Sequence, residues 1–394
     1  MLRTGLDRLL AESEVLGGRR YGLLSHAASV TAEMEPIHLA LSRRAPAPPL
    51  LLLAPEHGFH GVEQDMVPAA ESRDPWTDVA IESLYGDSEE SLAPDPEVFS
   101  GIDLLLIDLQ DVGARYYTYA ASAVWAAEAA VRAGCEVWLL DRPNPLGGEV
   151  VEGNLRQPGY ESFVGAFVLP VRHGLTLAEL VLLEAERGGW REGIATWRLD
   201  GWRRSMLWPE LGRPWVAPSP NIPRFETALV YPGACLVEGT TLSEGRGTTR
   251  PFELVGGPGI DPPELAERLA RAPLEGVAFT PVYFRPQAQK HADELCGGVQ
   301  MHVTSPDGFA SYRAGIELIA ALHEVGGESF GWRAEPYEFV ADRPAVDLLS
   351  GDRALRRALD GGDGLQSWLA SWAADEESFR RERQAILLYE EETS

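Results

Sequence analysis

The sequence predicts an α/β protein with a mostly parallel sheet, followed by a second, smaller α+β unit. Four short and nearly continuous apolar runs recur between residues 20 and 143, which is typical of strands buried on both faces. A long alanine-rich segment of helical spacing separates the third run from the fourth, as in a strand–helix–strand unit. After about residue 245 the pattern changes, which indicates a second structural unit.

The strands and helices of the first unit are predicted in alternation. Strands are predicted at 20–26, 49–55, 102–110, 135–143 and 194–202. Helical spacing predicts a helix over 114–134, which Gly134 closes. A second helix is predicted over 175–189, with Thr176 as its N-cap and Glu179 completing a capping box.

The second unit follows a loop-rich stretch at 209–259, which is crowded with glycine, proline, serine and threonine. Strand-like runs at 276–286 and 297–306 are followed by a helix at 311–325 and a helical tail from Ala354. We therefore place the domain boundary near residue 245, which divides the chain into domains 1–245 and 246–394.

The composition argues against several classes of protein. A formal net charge of −26 over 394 residues repels nucleic acid and anionic lipid, so neither is an expected partner. No apolar run approaches the length of a membrane span, and the N-terminal segment lacks the apolar core of a signal peptide. The three cysteines are widely spaced and odd in number, which favours buried, reduced thiols. We therefore expect a cytoplasmic protein.

Polar side chains follow three predicted strands where each strand ends. In an open parallel sheet, ligands bind at the carboxyl ends of the strands, where the strand order reverses. We therefore expect a site at this edge of the sheet. The residues are Glu56 and His57 after the second strand, Asp108, Asp111 and Arg115 after the third, and Asp141, Arg142 and Asn144 after the fourth.

Glu56 is the best single candidate for a catalytic group. A glutamate that leaves an apolar strand is partly desolvated, which raises the pKa of the carboxyl and suits a general acid. The glycines that follow allow the backbone to approach a ligand closely. A metal site formed by Glu56, His57 and His60 is the alternative interpretation of this turn, although the spacing matches no strong metal motif.

Several other segments carry polar side chains that could reach the same site. They supply Tyr116 and Tyr119 at the start of the first predicted helix, His173 before the second, Asn221 in a proline-rich turn, and Glu238, Glu244 and Arg246 in the stretch 237–253. No phosphate loop, dinucleotide fingerprint or serine-hydrolase elbow occurs in the sequence, so no cofactor is expected. Carboxylates and arginines with aromatic neighbours suit a carbohydrate that carries an acidic group.

Seven segments together resemble one family, the NamZ-type exo-β-N-acetylmuramidases, and the resemblance extends over almost the whole chain. The segments are "APEHGFHG", "IDLLLIDLQDVGARYYTYAAS", "LLDRPNPLGG", "SFVG", "PVRHGLTLAEL", "WVAPSPNIP" and "YPGACLVEGTTLSEGRGTTRPFE". The resemblance implies a glycosidase that releases N-acetylmuramic acid from the non-reducing end of peptidoglycan fragments. It also implies a Rossmann-like larger domain and a smaller auxiliary domain, with the active site in the cleft between them.

The resemblance and the strand-end residues together define the candidate site. Glu56 lies on the glutamate of the family's PEHG motif and is the leading catalytic candidate. The other catalytic candidates are Glu71, Asp111, Glu238 and Glu244. The candidate substrate-binding residues are His57, Arg115, Tyr116, Tyr119, Arg142, Asn144, His173, Asn221 and Arg246.

The sequence departs from the family pattern at two motif positions. His60 stands where an arginine is expected after the PEHGF motif, and "AAE" stands at 69–71 where the family has a small residue, glycine and glutamate. Many relatives are exported, whereas no signal peptide is visible here.

Hydrolysis of a glycoside requires an acid and, in most families, a second carboxylate. We expect Glu56 to be the acid, with Glu71, Asp111, Glu238 or Glu244 as its partner, or the substrate's own acetamido group as the nucleophile. Arginines beside the motifs are expected to bind the lactyl carboxylate of muramic acid. Two other functions stay open at this point: a metal-dependent hydrolase, and a two-lobed muropeptide-binding protein without catalytic activity.

Overall fold

The computed structural model describes residues 2–64, 66–68 and 72–390. It contains a seven-stranded sheet in the first half of the chain and a three-stranded sheet in the second half. Among the described residues, no helix is both long and apolar enough to cross a bilayer.

The large sheet is formed by strands β1–β7 and the small sheet by β8–β10. Their bounds are β1 Tyr21–Ser25, β2 Leu51–Ala54, β3 Ser72–Arg73, β4 Ala80–Ser83, β5 Leu104–Asp108, β6 Glu136–Leu140, β7 Ile194–Trp197, β8 Leu254–Gly257, β9 Val277–Phe284 and β10 Cys296–Val303.

The α-helices cover both faces of the large sheet and pack beside the small one. Their bounds are α1 Gly5–Ala11, α2 Ile37–Arg44, α3 Tyr119–Arg132, α4 Leu177–Gly188, α5 Phe225–Ala234, α6 Pro262–Ala270, α7 Ser311–Gly326, α8 Ala345–Ser350, α9 Ala354–Gly361 and α10 Leu365–Arg383.

The large sheet has the strand order β3-β4-β2-β1-β5-β6-β7, and only β3 is antiparallel to its neighbour. The six parallel strands therefore have the order of a doubly wound, Rossmann-like sheet. Because the order reverses between β1 and β5, the crevice for a ligand opens at the carboxyl ends of these two strands. Strands β1 and β5 are buried along their whole length, which explains their continuous apolar sequence.

The α/β fold predicted from the sequence is confirmed, and so is the capping box of α4. Thr176 accepts a hydrogen bond from the Glu179 backbone, and the Glu179 side chain accepts one from the Thr176 backbone. Helix α3 begins at Tyr119 rather than at residue 114, so the five residues before it form a loop. Strands β3, β4 and β8 were not predicted because they have two to four residues each and lack a continuous apolar run.

The small sheet is antiparallel, in the order β8-β10-β9. Helices α5 and α7 cross so closely that a Cβ on Gly315 would lie 2.2 Å from the carbonyl oxygen of Gly233. The C-terminal segment returns to the large sheet, where Tyr389 donates a 2.6 Å hydrogen bond to Asp141. The C-terminal segment is therefore joined to the first half of the chain.

Candidate active site

A narrow cleft of about 40 Å³ lies beside the switch point of the large sheet. Carboxylates, hydroxyls and aromatic rings from both halves of the chain form its walls. The lining residues are Glu56, His57, Tyr116, Tyr117, Thr118, Val164, Ser219, Asn221, Ile222, Tyr231, Glu238, Arg246, Phe252, Tyr337 and Glu338. The chemistry of these side chains, rather than the volume they enclose, marks the cleft as a candidate active site.

Glu56 stands where β2 ends, and only 4% of its surface is exposed. Its Oε2 accepts a 2.6 Å hydrogen bond from the hydroxyl of Thr118, which precedes α3. The following residue, His57, has a φ of 71°, and its Nδ1 lies 3.0 Å from the carbonyl oxygen of Glu63. This left-handed turn directs Glu56 and His57 into the cleft.

Glu238 is the second acidic candidate in the cleft. Its ion-pair partner, Arg246, lines the cleft as well. Glu238 accepts a 2.8 Å hydrogen bond from Arg246 Nη2 and a 2.5 Å hydrogen bond from the Tyr337 hydroxyl. Burial alone would raise the pKa of Glu238, but the charge of Arg246 and the Tyr337 hydroxyl bring this pKa below its ordinary value. Glu238 is therefore ionised at neutral pH.

Glu244 supports Arg246 from behind and does not line the cleft. Its Oε1 lies 3.5 Å from Arg246 Nε, and its Oε2 accepts a 3.0 Å hydrogen bond from Lys290. Lys290, the only lysine in the chain, also donates to the carbonyl oxygens of Val237, Glu238 and Leu242. The segment 237–246 is thereby fixed against the small sheet.

Tyrosine rings form the aromatic wall of the cleft. The Tyr116 hydroxyl donates to the carbonyl oxygen of Pro232, and the Tyr116 ring packs edge-on against Tyr231 at 5.6 Å. Tyr117 packs edge-on against Tyr119 at 4.8 Å. Burial raises the pKa of all four of these hydroxyls, so they stay neutral. The predicted site residue Tyr119 lies behind this wall, where its hydroxyl donates to Pro218.

Two arginines predicted to bind substrate do not reach the cleft. Arg115 donates from its guanidinium to the carbonyl oxygens of Asn154, Leu169 and Leu349. Arg142 is paired with Asp108, with Nη2 3.2 Å from Oδ2. Both guanidiniums are almost fully buried, so they hold loops together instead of facing a ligand. Arg115 also lies before α3, not within its first turn.

Three more predicted residues are buried away from the cleft, namely Asn144, His173 and Asp111. Asn144 donates to the carbonyl oxygen of Leu175 and accepts a hydrogen bond from the Leu146 backbone. His173 accepts a 3.1 Å hydrogen bond from the Leu175 backbone, and its Nε2 lies 3.9 Å from Asp111 Oδ2. Burial, reinforced by the nearby charges of Arg383 and Arg204, lowers the pKa of His173 to about 3.

The structure therefore brings together six of the predicted residues, which are Glu56, His57, Tyr116, Asn221, Glu238 and Arg246. Glu71 lies outside the described residues. Sequence reasoning missed Thr118 and Tyr337, which bind the two carboxylates, and also Ser219 and Glu338. Thr118 lies inside the segment "IDLLLIDLQDVGARYYTYAAS", which resembles the family. Tyr337 lies in an irregular segment without a recognisable motif.

The metal alternative required Glu56, His57 and His60 to converge. Glu56 and His57 line the cleft, but His60 lines a separate groove, with its Nε2 3.1 Å from Asp74 Oδ1. In the ranges 2–64, 66–68 and 72–390, no group of three histidine, cysteine, aspartate or glutamate side chains is arranged to hold a metal ion.

A buried carboxylate at the switch point of a doubly wound sheet faces a second, ionised carboxylate and a wall of tyrosines. Two carboxylates in one cleft with aromatic walls are typical of hydrolases that act on sugars.

The family described as exo-β-N-acetylmuramidase NamZ matches the chain twice, with its N-terminal part at residues 21–226 and its C-terminal part at 229–389. The peptidoglycan β-N-acetylmuramidase NamZ of Bacillus subtilis (strain 168) is 36% identical over 389 residues, which cover 98% of this chain and 91% of the relative. The chain is therefore a glycoside hydrolase, and it belongs to the NamZ exo-β-N-acetylmuramidase family.

Two solved structures show the same fold. Both are DUF1343 family proteins from Bacteroides fragilis NCTC 9343, with TM-scores of 0.87 and 0.77 and sequence identities of 28% and 26%. Each match covers 99% of both chains.

The buried carboxyl of Asp111 makes the stability of the protein depend on pH. Burial raises the pKa of Asp111 to about 7, although hydrogen bonds from the backbones of Gly113 and Val112 lower it in part. In the unfolded chain this carboxyl ionises near pH 4. Between about pH 4 and 7 the unfolded state therefore binds fewer protons than the folded state, and the free energy of unfolding falls as pH rises.

We predict that Asp111→Asn removes this contribution, since the amide oxygen can still accept from Gly113. The stability of the variant relative to the wild type should rise between about pH 4 and 7 and then level off. Urea unfolding of both proteins across this range measures the difference. A difference that does not change with pH would show that Asp111 is not protonated in the folded protein.

Proposed function

We propose that this chain is an exo-acting glycosidase that removes N-acetylmuramic acid from the non-reducing end of peptidoglycan fragments. The observation that supports this most strongly is the pair of buried carboxylates in one cleft, Glu56 and Glu238, which have different partners. The Bacillus subtilis relative is itself a peptidoglycan β-N-acetylmuramidase. The proposed enzyme works without a cofactor and in the cytoplasm.

Glu56 is the general acid of the proposed mechanism. It accepts hydrogen bonds from the Thr118 hydroxyl and from the Met66 backbone, and the proposal assigns to this carboxyl the transfer of a proton to the leaving oxygen. Its burial beside a tyrosine wall limits the access of bulk water to the carboxyl.

Glu238 cannot be that acid, because Arg246 and Tyr337 keep it ionised. Its role in the proposal is to face the positive charge that develops on the sugar ring in the transition state. The proposal thus gives the two carboxylates the two roles usual in glycosidases, with Glu56 as the acid and Glu238 as the charged group that faces the sugar ring.

Arg246 is the proposed partner of the lactyl carboxylate. It lines the cleft, whereas Arg115 and Arg142 are buried in contacts with other groups. Glu238 and Glu244 hold its guanidinium in a fixed orientation, which lowers the entropic cost of binding a carboxylate. A sugar ring needs more room than the narrow cleft offers, so the proposal includes a widening of the cleft when substrate enters.

The first prediction concerns the acid. Glu56→Gln keeps the size of the side chain and its contact with Thr118 but cannot give up a proton. We expect kcat for a muramide with a poor leaving group to fall by at least about 10²-fold. The rate of hydrolysis of N-acetylmuramyl-N-acetylglucosamine measures the effect.

The matched control for this experiment is Glu33→Gln, because Glu33 is exposed and does not line the cleft. Its kcat should equal that of the wild type. Near-wild-type turnover by Glu56→Gln would remove Glu56 from the role of acid. A wild-type protein that binds the disaccharide but does not cleave it would support the alternative of a muropeptide-binding protein.

The second prediction concerns the choice of substrate. N-acetylmuramic acid differs from N-acetylglucosamine by the lactyl group on its 3-oxygen, and a charge-assisted contact between the lactyl carboxylate and Arg246 contributes about 1.5–3 kcal/mol. We expect kcat/KM for para-nitrophenyl N-acetylmuramide to exceed that for the N-acetylglucosaminide by roughly 10²-fold or more. Arg246→Ala should remove most of this ratio, and Arg246→Lys should keep part of it.

Arg271→Ala serves as the control, since Arg271 is an exposed arginine outside the cleft. It should leave the ratio unchanged. Equal rates of the wild type on both substrates would contradict the muramidase proposal. A ratio that survives Arg246→Ala would show that another group binds the lactyl carboxylate.

A further inference from the structure

Arg333 lies close to Glu238, in a hollow of about 330 Å³ that shares Glu238 with the cleft as a lining residue. The backbone N–H of Arg333 donates a 2.9 Å hydrogen bond to the carbonyl oxygen of Gly239, the residue after Glu238. A second backbone hydrogen bond of 2.8 Å joins the same two segments, which pair in antiparallel fashion over 331–333 and 239–241. The position of Arg333 is therefore fixed relative to that of Glu238.

The guanidinium of Arg333 lies over the ring of Tyr337. Its Cζ is 5.0 Å from the ring centroid, a distance at which a cation is attracted to an aromatic face. Two contacts hold the guanidinium there, since Nη2 donates to the carbonyl oxygen of Pro336 at 3.3 Å and lies 3.8 Å from Met66 Sδ. Among the described residues, no carboxylate is paired with Arg333, so its positive charge acts on the ring rather than on an acid.

The hydroxyl of the same ring is a donor to Glu238. Tyr337 donates to Oε2 at 2.5 Å, while Arg246 donates to Oε1. A cation on the face of a phenol ring withdraws electron density from the ring, which makes the hydroxyl a stronger donor. Arg333, Tyr337 and Glu238 thus form a chain of contacts, in which a charge beside the cleft strengthens a hydrogen bond inside it.

The turn that carries Tyr337 has an unfavourable backbone conformation. Tyr337 and Val340 exchange two backbone hydrogen bonds of 3.0 Å, so the two residues between them form a tight turn. Both of these residues, Glu338 and Phe339, have positive φ angles, of 45° and 67°, which turns of this kind usually give to asparagine and glycine. Such a backbone persists only where the surroundings hold it, and it is frequent at active sites. The contacts at both ends of the Tyr337 side chain help to hold this turn.

We propose that Arg333 is a positioning residue that acts on Glu238 through Tyr337. This inference rests on the proposed function, in which Glu238 is the charged group that faces the sugar ring. Arg333 keeps the Tyr337 hydroxyl on Glu238 and strengthens its donation, so the carboxylate keeps its place and its charge while the sugar reacts. Arg333 does not bind the substrate in this proposal, since that part belongs to Arg246.

The pH dependence of the reaction should report this chain of contacts. Glu238 must be ionised to act, so its protonation sets the acidic side of the pH profile of kcat/KM. Burial raises the pKa of the Tyr231 hydroxyl and of the Cys235 thiol, so neither titrates on that side. A substitution at residue 333 leaves the identity of the other charged or titratable groups near Glu238 unchanged; these are Arg246, Lys290, Glu244, Glu56, His57 and Glu338.

The test compares Arg333→Met, which keeps a long side chain without its charge, with Arg333→Lys, which keeps a cation. With N-acetylmuramyl-N-acetylglucosamine as substrate, we expect Arg333→Met to lower kcat about tenfold and to change KM by less than about twofold. The acidic side of the profile should move up by about half a pH unit, because Glu238 is then protonated more easily. Tyr337→Phe should move it up by about one unit or more. Arg333→Lys should stay close to the wild type.

Arg343→Met is the matched control, because Arg343 lies over the ring of Tyr160, 5.7 Å from its centroid, and neither residue lines the cleft. It should change neither kcat nor the pH profile.

Three results for Arg333→Met would overturn the inference and leave the proposed function intact. The first is kinetics equal to those of the wild type. The second is a raised KM with loss of the preference for the muramide over the glucosaminide, which would make Arg333 a substrate-binding residue. The third is a lower free energy of unfolding with an unchanged pH profile, which would make its role merely structural. A wild-type protein that does not hydrolyse the disaccharide would overturn the proposed function and the inference with it.

Discussion

The reversal of strand order between β1 and β5 is the constraint on which the site depends. It separates the loops after β2 and β5, so that a crevice opens between them. The 2.6 Å hydrogen bond from Thr118 to Glu56 joins these loops. Behind it, His26 follows β1, accepts a hydrogen bond from the Gln110 backbone and lies 3.1 Å from the carbonyl oxygen of Pro218. Burial lowers the pKa of His26 to about 3, so the imidazole that fills this part of the crevice is uncharged.

Buried arginines join segments that lie far apart in the chain. Arg115 binds carbonyl oxygens from both halves of the chain, and Arg383 of the last helix binds those of Gly148 and His173. A buried guanidinium is costly unless its donors are satisfied, so loss of these carbonyl contacts would be strongly unfavourable. Arg115 and Arg383 therefore have structural contacts, whereas Arg246 lines the cleft.

The sequence alone was sufficient to predict the parallel sheet and the position of Glu56. Both depend on local patterns: an apolar run predicts a buried strand, and the residue after it must emerge at the carboxyl edge. The roles of Arg115 and Arg142 could not be predicted in this way, because carbonyl groups and carboxylates from distant segments decide where a long side chain ends. Tyr337 was missed for the same reason, since it lies in an irregular segment and its contact joins it to Glu238, 99 positions earlier in the chain.

The central claim is that Glu56 protonates the bond between muramic acid and the next sugar. A crystal structure of Glu56→Gln with bound N-acetylmuramyl-N-acetylglucosamine tests it most directly. The account predicts the side chain of residue 56 within hydrogen-bond distance, about 3 Å, of the glycosidic oxygen, with the muramic ring between it and Glu238. A disaccharide bound elsewhere, or with its glycosidic oxygen beyond the reach of residue 56, would contradict the account.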